Sequence, residues 1–122
     1  MANGPTDRGF DYFYGLTSPS GPPHLYMVND MAEKQPNTRF EESGGGLYKI
    51  KGGIGHSDWS ADGMQPHLAD KMLEYLDENK DSDKPFFLYM ALTAPHIPLF
   101  PSKEFKGKSK IGDYGDLVMM ID

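Results

Sequence analysis

The chain has 122 residues, with 18 acidic against 12 basic side chains and a formal net charge of −6. That balance excludes the Lys/Arg clustering through which proteins hold nucleic acid or an anionic membrane surface, and the longest apolar run, Phe86 to Leu92, falls well short of the ~20 residues needed to cross a bilayer. With no cysteine, disulfides and cysteine-based zinc sites are excluded, while the compartment stays open.

The length allows one domain or part of one. Met1 to Arg8 has no apolar core and does not read as a signal peptide. Residues 1–65 read mostly as loop. Phe10, Tyr12, Phe13 and Tyr14 form an aromatic cluster between Gly9 and Gly15, read as buried packing. Ser18-Pro-Ser-Gly-Pro-Pro-His24 is dense in turn formers, and Leu25 to Val28 is predicted as a short strand. The glycines at 44–46 and 52–55 invite a phosphate-loop reading. It fails because no Gly-Lys-Ser/Thr follows them, so they are assigned to a flexible surface loop. So long a stretch without a clear element lies against a larger body or a ligand.

The second half is more regular. Leu68, Met72, Tyr75 and Leu76 share one helix face, and Pro66 suits a first turn, which predicts a helix from 66 to 79. Pro85 to Leu92 is apolar at successive positions, the pattern of a strand buried on both faces of a parallel sheet. The proline-braced loop Thr93 to Pro101 follows, at the edge where open α/β sheets bind ligands. Asp113 begins a second helix with Tyr114, Leu117, Val118 and Ile121 on one face. One buried strand and a helix whose pattern runs to Asp122 do not close a core. A fragment of a larger α/β protein, or a chain that pairs with other copies through its exposed apolar faces, is therefore expected.

His96 is the leading functional candidate. It is held between Pro95 and Pro98, each of which fixes its own φ, and an imidazole at that edge can bind an anion or act as general acid. The alternative is a structural histidine in a tight loop. The four histidines at 24, 56, 67 and 96 match no metal-ligand spacing. Asp58, Trp59 and Asp62 form a small acidic and aromatic group, with Trp59 read as packing rather than as a sugar platform. No serine sits in a nucleophile elbow.

Several segments together resemble the sulfatase family, in the branch of bacterial arylsulfatases and N-acetylgalactosamine-6-sulfatases. They are Arg8-Gly-Phe-Asp-Tyr-Phe-Tyr-Gly15, Lys84-Pro-Phe-Phe-Leu-Tyr-Met-Ala-Leu92, Ala94-Pro-His-Ile-Pro98 and Gly112-Asp-Tyr-Gly-Asp-Leu-Val-Met-Met-Ile-Asp122, joined by Pro22-Pro-His-Leu-Tyr26 and His56-Ser-Asp-Trp59. The resemblance implies an alkaline-phosphatase-like α/β/α sandwich, of which residues 1–122 are an internal segment of one catalytic domain. It implies a sulfuric-ester hydrolase acting on a sulfated sugar or aryl sulfate, with formylglycine as nucleophile and calcium steadying the sulfate. His96 then binds sulfate or protonates the leaving oxygen, and His24 borders the substrate. The family's Cys/Ser-x-Pro-x-Arg motif, its Gly-Lys-Trp-His motif and its calcium-ligand pairs are absent, so neither nucleophile nor metal is assigned and the chain alone is expected to be inert. Family members are often periplasmic, secreted or lysosomal; this chain does not say which. A non-catalytic truncated or oligomeric module, and a phosphatase or phosphodiesterase of the same superfamily, are the alternatives.

Overall fold

The computed structural model describes residues 3–18 and 20–122. Met1 and Ala2, where the leader reading began, and Pro19 within the turn-rich segment lie outside the described residues. The described chain is a mixed α/β arrangement of two small antiparallel sheets and two α-helices. The first sheet joins β1 (Tyr14–Gly15), β2 (Met27–Val28) and β3 (Met31–Ala32) in that order. The second joins β4 (Thr38–Phe40) to β5 (Gly53–Gly55). Helix α1 runs from Met64 to Asn79 and α2 from Asp113 to Ile121.

The N-terminal half is thus less irregular than its composition suggests. β2 and β3 meet in a tight turn in which Asn29 adopts φ 55°, a left-handed conformation that asparagine tolerates better than most residues. Its side-chain Oδ1 accepts the Phe13 N–H at 3.0 Å, while its own N–H donates to the Phe13 carbonyl at 2.8 Å. The glycines at 44–46 are exposed, as a surface loop requires, but Gly53 and Gly55 are buried strand residues, which corrects the loop assignment there. A Cβ at Gly55 would stand 2.3 Å from the His24 carbonyl oxygen. Glycine therefore serves close backbone approach at this position.

Two apolar clusters organise the molecule. Tyr26, Ile50, Trp59 and Met64 form the larger, with Tyr14, Leu16, Phe40 and Leu68 packed on it. Ala94, Leu99 and Leu117 form the smaller, joined by Met120 and Ile121. Helix α1 starts two residues before its predicted bound and half-buries Leu68, Met72, Tyr75 and Leu76 as the periodicity required. Helix α2 begins at the expected Asp113, but only Leu117 and Ile121 of its predicted face turn inward; Tyr114 and Val118 are exposed. Asp116 fills the space instead. It is 1% exposed, and its two carboxylate oxygens accept the N–H groups of Gly107 and Ser109, each at 2.6 Å. These bonds pin the preceding loop to the helix.

The interior strand expected at 86–92 is not formed. The segment is irregular, and Phe87 and Tyr89 are 78% and 70% exposed. An apolar strand is buried on both faces only when neighbours pair with it and layers cover it. All five strands here pair among themselves, and none reaches these residues. The aromatic cluster at 10–14 is likewise only partly buried. Phe10 and Tyr12 are exposed and rest on Phe87 and Tyr75, with ring centroids 6.4 and 5.7 Å apart.

Candidate functional site

The hairpin β2–β3, the turn after β5 and helix α1 converge on a cavity of about 140 Å³ lined by Leu25, Tyr26, Glu33, Lys34, His56, Asp58, Trp59, His67 and Lys71. Each polar side chain has an identifiable anchor. His67 projects from the second turn of α1, where its ring stacks on Tyr26 at 4.0 Å and its Nε2 lies 2.7 Å from the Tyr14 hydroxyl. The Tyr14 O–H donates to Glu33 Oε2 at 2.7 Å. A hydroxyl has one proton to give, so the shared oxygen accepts from His67 and the imidazole carries its proton on Nε2.

His56 is set from the opposite side. Asn37 Oδ1 accepts the Ser57 N–H at 2.9 Å, which turns the Asn37 amide nitrogen toward His56 Nε2 at 3.1 Å. His56 Nδ1 in turn lies 3.5 Å from Asp58 Oδ2. The Asp58 N–H donates to Nδ1 at 3.2 Å, so a neutral ring that meets this bond cannot also accept from Asn37 without a change of partner. On the rim, Lys34 and Asp58 form an exposed ion pair. Each holds the other charged, the lysine shifted up and the aspartate down chiefly through their shared hydrogen bond.

A second cavity, of about 360 Å³, adjoins the first through Glu33 and Lys71 and is completed by Tyr12, Tyr14, Val28, Glu74, Tyr75 and Glu78. Tyr12 and Tyr75 stack nearly parallel, at 10°. Lys71 donates to Glu74 at 2.8 Å and lies 5.6 Å from the Tyr14 ring centroid. Burial, reinforced by Glu33, raises the Tyr14 phenol well above its ordinary range, and burial pushes Tyr26 up to about 12. Both therefore present neutral O–H groups at physiological pH.

The two histidines singled out from sequence occupy different settings. His24 is 1% exposed, with Nε2 2.7 Å from the Lys51 carbonyl and its ring against Trp59 at 4.5 Å and Phe40 at 5.1 Å. It lies behind the first cavity, beneath Trp59, and does not line it. His96 is exposed in the loop after residue 92, its N–H bonded to the Thr93 carbonyl at 3.0 Å and its Nδ1 2.5 Å from the Ile97 carbonyl. Neither cavity includes it. A bond from the Gln65 side-chain amide to the Thr93 hydroxyl ties its loop to the start of α1.

Sequence reasoning set His56 and His67 aside with the metal-ligand reading, gave them no other role, and passed over Lys34, Lys71 and Glu33. The spacing of His67 and Lys71, i and i+4 on one turn of a predicted helix, was the available signal; the hairpin that brings Glu33 and Lys34 across to them has no local signature that long-range pairing can be read from. Calcium takes six to eight oxygen ligands. No three acidic or imidazole groups converge on one point among the described residues, and Asp116 commits both oxygens to backbone N–H groups.

The family model described as Sulfatase matches residues 2–122. N-acetylgalactosamine-6-sulfatase of Canis lupus familiaris is 42% identical over 50 residues, 41% of this chain and 10% of the relative. N-acetylgalactosamine-6-O-sulfatase of Bacteroides thetaiotaomicron is 31% identical over 64 residues, 52% of this chain and 12% of the relative. Human steryl-sulfatase is 35% identical over 63 residues, again 52% of this chain and 10% of the relative. The aligned stretches thus make up about a tenth of these relatives' length. No solved structure matches the chain. The family match runs from the second residue to the last and agrees with the three short alignments: the chain belongs to the sulfatase family.

Proposed function

We propose that the chain is a segment of the catalytic domain of a sulfuric-ester hydrolase, of the alkaline-phosphatase-like sandwich type, and that it supplies part of the wall that receives a sulfated sugar. The observation that carries this reading is the family match over residues 2–122. The names of the relatives favour a 6-sulfated N-acetylgalactosamine as the substrate class. Formylglycine and calcium belong to the parts of such an enzyme that these residues do not provide. No Cys/Ser-x-Pro-x-Arg motif occurs in the sequence. No step is assigned to either group here.

What this chain's own residues offer is an oriented imidazole. His96 Nδ1–H donates to the Ile97 carbonyl, which leaves Nε2 as the ring's other hydrogen-bonding atom. On the neutral ring Nε2 can only accept, and a sulfate oxygen is also an acceptor. Protonation converts Nε2 to a charged donor, the form that holds a sulfate oxygen or passes a proton to a leaving alcohol.

Titration calorimetry of the chain with N-acetylgalactosamine 6-sulfate and with N-acetylgalactosamine tests the reading. The sulfated sugar should bind more tightly, and His96→Ala should weaken it about tenfold, the scale of one charge-assisted hydrogen bond at an accessible site. Equal affinity for both sugars would remove sulfate from the interaction. The chain alone should show no turnover of an aryl sulfate above background; sustained hydrolysis would show that the catalytic groups had been misplaced.

A further inference from the structure

The cavities described above adjoin at Glu33 and Lys71, which line both, and together outline a groove. We propose that this groove is a saccharide subsite separate from the His96 loop, taking the uncharged pyranose units of a glycan chain rather than its sulfate group. Three independent features point to this chemistry.

The first is the aromatic lining. Tyr26 and Trp59 face the smaller end, and Tyr12, Tyr14 and Tyr75 the larger. Aromatic rings with a polar handle suit a ligand that is apolar on its C–H faces and polar at its edge. The second is the distribution of charge. At the larger end three carboxylates, Glu33, Glu74 and Glu78, surround the single cation Lys71, which is already bonded to Glu74. Carboxylates accept hydrogen bonds from sugar hydroxyls and repel sulfate, so this end selects against an anionic unit. The third is an unmet donor. Trp59 is 4% exposed and its indole N–H has no hydrogen-bond partner. Buried N–H groups are seldom left unpaired, and a hydroxyl or water drawn in with a ligand would supply the missing acceptor. A cavity of about 360 Å³ falls within the range of small-molecule sites.

The placement is also distinct from the sulfate reading. The groove is built from the β2–β3 hairpin and α1, whereas His96 sits in a loop that neither cavity touches. The two can therefore fail separately.

Trp59 is the chain's single tryptophan, so its fluorescence reports on the groove without a label. The probes are chitotetraose and cellotetraose as neutral glycans, with free sulfate and glucose 6-sulfate as charged controls. A saturable change with a neutral tetrasaccharide is expected, and Tyr12→Ala, at an exposed ring, should weaken it about tenfold by removing one stacking face. Glu78→Gln should weaken it severalfold, and His96→Ala should leave it unchanged. Far-ultraviolet circular dichroism confirms that each variant is folded. No saturable response to either neutral glycan, a response unaffected by Tyr12→Ala, or one abolished by His96→Ala would each overturn the proposal. Loss of sulfated-sugar binding in His96→Ala with neutral-glycan binding intact would support both assignments at once.

Discussion

His24 and His96 carry the same side chain into opposite physical situations, and the contrast decides what each substitution does. His24 is enclosed by Trp59 and Phe40 and spends Nε2 on the Lys51 carbonyl. Truncation to alanine leaves a void beneath the indole and an unpaired carbonyl. His24→Ala should therefore lower the unfolding free energy by about 2–4 kcal/mol in a urea melt. His96 is exposed and bonds only within its own loop among the contacts described, so His96→Ala should change stability by no more than about 0.5 kcal/mol. A large loss on truncating His96 would mean that it is structural. Tyr26 adds a pH dependence whose sign follows from its phenol. The folded pKa lies above the ordinary 10.0, at about 12. The unfolded chain therefore gives up this proton first, and the stabilisation, complete below pH 10, is lost as pH rises toward 12. Tyr14 acts in the same direction. Alkaline urea melts should show stability falling above pH 10, with a shallower fall in Tyr26→Phe; a curve of equal slope in both would remove Tyr26 as the cause.

At the level of elements, legibility followed the range of the interactions. Helix α1 is written in an i, i+4, i+7, i+8 pattern over one stretch of chain, and the structure forms it to within two residues of its predicted start. The strands of the first half are two or three residues long and owe their existence to partners up to 17 positions away, as Thr38 pairs with Gly55. No local pattern announces such pairs. Residues 86–92 show the converse error. Their composition describes the environment of a buried strand, and that environment is not provided by any element described here. The backbone amides of 86–92 should consequently exchange with deuterium within seconds to minutes, whereas those in the middle of α1 should be protected by orders of magnitude more. Strong protection across 86–92 would reveal a pairing partner.

For the whole molecule, the candidate site was only half legible. The His96 loop could be named from Ala94-Pro-His-Ile-Pro98, because a short motif carries its own neighbours. The groove could not, since it draws Glu33, His56 and His67 from three separated stretches whose meeting depends on the tertiary packing of Tyr14, Tyr26 and Trp59. The exposed row Phe86, Phe87, Leu88 and Tyr89 is the other global feature. Apolar surface of this kind drives association, and we propose that the isolated chain self-associates through it. Light scattering at micromolar concentration should give a dimer or larger species, reduced toward monomer by Phe87→Ser with Tyr89→Ser. A monomer for the unaltered chain would contradict this.

The most direct test of the sulfatase reading is the ring nitrogen spectrum of the four histidines, recorded by NMR from pH 8 down to pH 5 with and without N-acetylgalactosamine 6-sulfate. We expect the sulfated sugar to shift the His96 Nε2 resonance toward its protonated position, with affinity increasing as pH falls and the buried His24 unmoved. A His96 signal indifferent to the sulfated sugar at every pH would contradict the assignment of sulfate recognition to this loop.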